Sequence, residues 1–137
     1  MRYFNLNIIY FNMKNEEIKY VGYQLIVLLL TILAGFVSFF LTYNQKRSLQ
    51  GKKTLVPPKT LLTISIANRI LFLITGSLFL LINFKLYEIS KRENENLRTY
   101  ELQIIASILV VISEIIALYV TSTSTTNQVS DVENPNI

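Results

Sequence analysis

The sequence contains no cysteine, histidine or tryptophan, and its lone aspartate is Asp131, near the carboxyl terminus. Without thiolate or imidazole there is no disulfide, no thiolate or histidine metal site, and no Cys–His or Ser–His pair for nucleophilic catalysis. Glu114 is the one acid inside the long apolar runs, so a carboxylate dyad cannot be assembled there. Glycine is scarce too: there are four, none clustered, and hence no glycine loop of the kind that cradles phosphate. These absences point away from an enzyme, and neither a metal nor a cofactor is expected.

What is present is apolar. Of 137 residues, 51% are hydrophobic and only 16% charged, and the mean hydropathy is +0.40, too oily for an ordinary soluble domain of this size. A membrane-spanning helix needs about 20 mostly apolar residues, and three runs satisfy this: Val21 to Tyr43, Leu61 to Leu86 and Leu102 to Val120. The expected fold is an all-α integral membrane protein. Three transmembrane helices over residues 21–120 form an antiparallel, up-down-up, left-handed bundle.

Residues 1–20 are expected to lie at the membrane interface or to be partly disordered. Tyr3, Phe4, Tyr10 and Phe11 are types that settle at headgroup depth, although Met13, followed by Lys14-Asn15-Glu16-Glu17, reads equally well as a start. Residues 121–137, opening with a Ser/Thr run and lacking any basic residue, are expected to form a disordered tail.

The connection after the first span carries Lys46, Arg47, Lys52, Lys53 and Lys59 with no acid among them. It accounts for most of the net charge of +4 and is expected to meet anionic lipid headgroups or to act as a topology signal. Nucleic acid is not an expected partner, because the flanking chain is membrane-bound. Gly51 gives this loop its bend and Val56-Pro57-Pro58 closes it, proline being tolerated at a helix start where its missing N–H costs nothing. The second connection is short: Asn94 to Asn96 is the expected turn, asparagine being able to adopt a left-handed or capping conformation.

Orientation depends on Lys and Arg near the span ends. The amino-terminal segment and second loop carry seven and the first loop five, but those five are unopposed by acids. The first loop and the carboxyl terminus are therefore expected in the cytoplasm, with the protein integral to the cell membrane.

Stepping by four and three residues picks out one face of each helix. The first span gives Gln24, Leu28, Thr31, Gly35, Ser38 and Thr42. The second gives Ser65, Arg69, Phe72, Gly76, Phe79 and Asn83, with Asn68 and Thr75 flanking. The third gives Gln103, Ser107, Val110, Glu114, Ala117 and Thr121, with Ser113 flanking. Lipid tails are as apolar as leucine, so helices associate through close approach at small residues and hydrogen bonds between polar ones. Thr31, Gly76, Asn83, Ser107, Ala117 and Thr121 are therefore read as a packing seam.

Arg69 and Glu114 are a different matter, since each costs roughly 2.5 to 3.5 kcal/mol at mid-membrane. The Leu, Ile and Phe residues of the second span, at about 0.3 to 0.6 kcal/mol each, can offset that cost without any pairing. Depth is the stronger argument. At about 1.5 Å per residue, Arg69 lies roughly 7 Å, and Glu114 roughly 4.5 Å, from the middle of its span. In antiparallel helices both displacements point to the same membrane side. An intramembrane polar cluster of Arg69, Glu114 and Asn68, with Ser38 or Gly35 opposite, is expected.

Three functions remain compatible with this pattern. The chain can be a non-catalytic subunit or interaction partner in a membrane complex, binding another membrane protein or a further copy of itself. It can be an oligomeric pore or carrier with Glu114 as ion or proton site. It can be a membrane-surface regulator that uses the basic 44–59 loop.

Overall fold

The structure, a computed structural model, describes residues 2–133, with side chains for residues 8, 12 and 14–124. It consists of helices α1 (Arg2–Leu49), α2 (Pro58–Arg92) and α3 (Arg98–Glu133), with no strand among the described residues. All three are long and apolar enough to cross a membrane. At about 1.5 Å per residue the 35 residues of α2 extend roughly 50 Å, more than a hydrocarbon core of about 30 Å.

The helix ends follow from local chemistry. At the end of α1 the Lys52 N–H donates to Arg47 O at 2.9 Å and the Gly51 N–H to Ser48 O at 3.1 Å. This is the Schellman arrangement, and it places Gly51 in the left-handed region at φ 73°. The end of α2 repeats it with asparagine: Glu95 N–H donates to Ser90 O at 3.1 Å, and Asn94 adopts φ 56°. Asn96 then caps the next helix, its Oδ1 accepting from Arg98 N–H at 3.1 Å. Pro58 occupies the first turn of α2, and the Leu61 N–H donates to Pro57 O at 3.1 Å.

α1 runs without a break through residue 21, where the first span was expected to begin, because no proline precedes Pro57. The expectation of an interfacial segment at 1–20 falls largely on side chains outside the described residues. In the tail at 121–137, expected to be disordered, residues 121–133 continue α3 and residues 134–137 lie outside the described residues.

Gln24, midway along α1, meets Asn83 late in α2, and Ser38, farther along α1, meets Asn68 earlier in α2. Helices running in opposite directions give this pattern. α2 is central. It packs on both α1 and α3, whereas among the described residues no Cα of α1 comes within 8 Å of one in α3. The reason lies in α2's own repeat. Asn68, Thr75, Ile82 and Ile89 recur every seven residues on one buried line, and Gly76, Asn83 and Ser90 on the adjacent one. Neighbouring residues point about 100° apart around a helix. Two partners seated on these lines are therefore splayed, leaving a cleft between α1 and α3.

The apolar core is small. Val27, Ile82 and Leu86 are buried together, flanked by Tyr20, Phe79 and Tyr100, so that all three helices contribute near the Asn83 level.

Candidate functional site

Two polar levels cross the helices. At the first, Gln24 Nε2 donates to Asn83 Oδ1 at 3.3 Å, and Asn83 Nδ2 donates to Ser107 Oγ at 2.6 Å. The Ser107 hydroxyl passes its own proton to Gln103 O at 2.8 Å. Asn83 and Ser107 are both buried, and this relay joins α1, α2 and α3 through neutral groups alone.

At the second level Asn68 and Arg69 stand side by side on α2 and turn to different neighbours. Asn68 Nδ2 donates to Ser38 Oγ on α1 at 2.9 Å. Arg69 Nη1 stands 3.9 Å from Glu114 Oε2 on α3, with side-chain exposures of 40% and 18%. That separation is within the range of charge attraction and beyond that of a hydrogen bond. Two buried oxygens here, Asn68 Oδ1 and Glu114 Oε2, lack any hydrogen-bond partner. Water cannot compensate for such groups in hydrocarbon, where each unmet one costs several kcal/mol.

Gly35 does not join this cluster as expected: a methyl group placed on it would meet nothing within 4 Å. Leu28 and Thr42, from the same expected stripe, are exposed as well. Among the described residues the buried apolar positions of α1 are Val27 and Ala34, so its contact line steps three then four from Gln24 rather than four then three. Both steppings fit a helical repeat. The small residues at 35 and 42 bias the choice toward the wrong one.

Gly76 is where α2 and α3 approach closely, since a methyl group there would lie 3.4 Å from Val110 Cγ1 and 3.8 Å from Val111 Cγ2. Ala117 is half-buried, as is Thr121. Thr31 is also half-buried, but its hydroxyl donates to Val27 O of its own helix at 2.8 Å.

Asn44 belongs to a feature the sequence did not disclose. It is fully buried; its Nδ2 donates to Phe40 O at 2.9 Å and its Oδ1 accepts from Leu55 N–H at 2.7 Å. Arg47 Nε donates to Lys53 O at 2.9 Å. These bonds fold the basic loop back on the end of α1 and leave Lys46, Lys52, Lys53 and Lys59 exposed. The partner of Asn44 is 11 residues away in irregular backbone, where no periodic pattern applies.

At the opposite end Glu16 Oε2 lies 3.4 Å from Arg92 Nη2, tying α1 to the end of α2. Burial raises the pKa of nearby Glu93, helped by a hydrogen bond with Glu95 and the charges of Glu95 and Glu17, while Lys14 opposes the shift.

Among the described residues no three metal-ligating side chains gather. No family model, curated protein or solved structure matches this chain.

Proposed function

We propose that this chain is a non-catalytic subunit or interaction protein of a membrane complex, its helices forming an up-down-up, left-handed bundle in the bilayer. The observation that carries this reading is the Arg69–Glu114 level. A cation and an anion are held 3.9 Å apart in apolar helices, with Glu114 Oε2 buried and given no donor. Ionisable groups at such depth are functional by default, and incompletely matched ones favour association with another polar membrane segment. In this reading the exposed lysines of the 44–59 loop face anionic headgroups on the cytoplasmic side of the cell membrane.

The test is the composition of the particle extracted in mild detergent. A stable stoichiometric complex, lost on Arg69→Leu, supports the reading. A lone monomer whose behaviour is indifferent to that substitution contradicts it. A second reading, a pore or carrier, is favoured by the unmatched Glu114 carboxylate oxygen. Ion flux in reconstituted liposomes, abolished by Glu114→Gln, would select it.

A further inference from the structure

Gly35 follows Gln24 by about three helical turns and Thr42 follows it by about five, so all three share one face of α1. Gln24 bonds to Asn83, which bonds to Ser107 on α3, so this face looks toward α3. Among the described residues no Cα of α1 lies within 8 Å of one in α3, and the space between them is open: Gly35 has nothing within 4 Å of a Cβ position, and Val110, which reaches Gly76 from α3, is 48% exposed. Beside this cleft stand Arg69 and Glu114.

We propose that the occupant of this cleft is a second copy of the chain, with the α3 helix of each copy lying along the Gly35 face of the other and Arg69 of each facing Glu114 of its partner. The proposal rests on the reading of the chain as a membrane interaction protein and names its partner. Charge complementarity selects a second copy. Cation and anion share one level across the bilayer, so a two-fold axis along the membrane normal keeps both at that level and sets each opposite its counter-charge. The result is a ring of two guanidinium and two carboxylate groups. It offers hydrogen-bond acceptors to Arg69, whose sole described contact is the 3.9 Å approach, and donors to Glu114. Gly35 supplies room for a neighbouring backbone to come close, as small residues do at helix crossings in lipid.

The experiment uses differently tagged full-length copies in phosphatidylcholine vesicles and reads dimer formation by energy transfer between the tags. Arg69→Glu or Glu114→Arg alone should weaken self-association about 100-fold, as expected when one partner of a buried pair is reversed. Co-expressing the two single variants should restore a mixed dimer. The carboxylate introduced at position 69 of one copy then meets the guanidinium introduced at position 114 of the other, while both within-chain pairs stay broken. The double variant Arg69→Glu/Glu114→Arg should self-associate as well.

Rescue by the double variant without rescue by co-expression would place the pair inside one chain, overturning the second-copy proposal while leaving the interaction reading intact. A monomeric parent chain, or a dimer unaffected by either single variant, would also overturn it. Gly35→Leu provides a check free of the charges. It should abolish energy transfer without lowering the thermal stability of the single chain, since the added side chain enters open space. Unchanged energy transfer in that variant would refute the docking face.

Discussion

The Asn83 level and the Arg69 level both put polar groups in the middle of apolar helices, but they are finished to different degrees. At Asn83 every link is neutral and within hydrogen-bond range, from 3.3 Å to Gln24 to 2.6 Å to Ser107, and the small core of Val27, Ile82 and Leu86 sits beside it. At Arg69 the cross-helix approach to Glu114 is 3.9 Å, and Asn68 Oδ1 and Glu114 Oε2 are buried without partners. A neutral relay among three helices can close on itself. A guanidinium with five donors cannot be satisfied by one distant carboxylate oxygen. The first level therefore ties the three helices to one another, and in the proposed function the second is what the chain would present to another.

The sharpest way to separate the two levels is to remove charge. Arg69→Leu removes the partner of the half-buried Glu114 carboxyl and is expected to cost about 2 to 3 kcal/mol, below the full penalty for a buried pair because the two side chains are 40% and 18% exposed. Adding Glu114→Leu should recover most of that fold stability but not association, measured by thermal unfolding in detergent alongside particle mass. Recovery of both would reduce the pair to a packing detail.

Next in size is the neutral relay. Asn83→Leu leaves Gln24 and Ser107 unmatched and should cost about 1 to 2 kcal/mol, the upper range for polar contacts between membrane helices. It should do so equally in monomer and oligomer. A larger effect on association than on unfolding would erase the distinction drawn between the two levels.

The loop clamp comes third. Asn44→Ala removes the side chain that joins Phe40 O and the Leu55 N–H, at a cost of about 1 kcal/mol. Amide exchange should quicken at residues 52–56 and stay unchanged around Asn83. Equal protection in both variants would mean that the Schellman turn at Gly51 holds the loop unaided.

The smallest effect concerns pH at the opposite end. Glu93 binds its proton more tightly in the folded turn than in the unfolded chain, chiefly because of burial. Its contribution to stability is therefore present below its ordinary value of 4.5 and lost as pH rises through the raised value. Glu93→Gln should remove this dependence and strengthen the turn at neutral pH, read as slower amide exchange at residues 93–97 after correction for intrinsic rates. A steeper dependence in the variant would assign the titration to Glu95 or Glu17.

Much of the fold was legible in the sequence because long apolar helices leave a simple pattern. Apolar length locates the three helices, and residues able to take a left-handed backbone, Gly51 and Asn94, mark where two of them stop. The α2 stripe was readable as well: Arg69, Gly76 and Asn83 all meet α3. On α1 the periodicity allowed two phases. A stripe rich in small residues suggested contact within the chain, whereas Val27 and Ala34 are what α2 buries. Small residues record where something can come close and do not say whether it belongs to the same chain. The role of Asn44 was hidden for a different reason, since one asparagine at a span end looks like any other polar boundary until the loop folds over it.

Everything proposed for the Arg69 level requires that Arg69 and Glu114 face one another within protein. Solid-state NMR in lipid bilayers, reading the dipolar coupling between ¹⁵N-labelled arginine and ¹³C-labelled glutamate carboxyl groups, measures this directly when compared with an Arg69→Lys sample. The expected result is a nitrogen–carbon coupling consistent with the 3.9 Å approach of Arg69 Nη1 to Glu114 Oε2, lost in the Lys variant. Spectra identical in the two samples, with Arg69 coupled instead to lipid phosphorus, would contradict it.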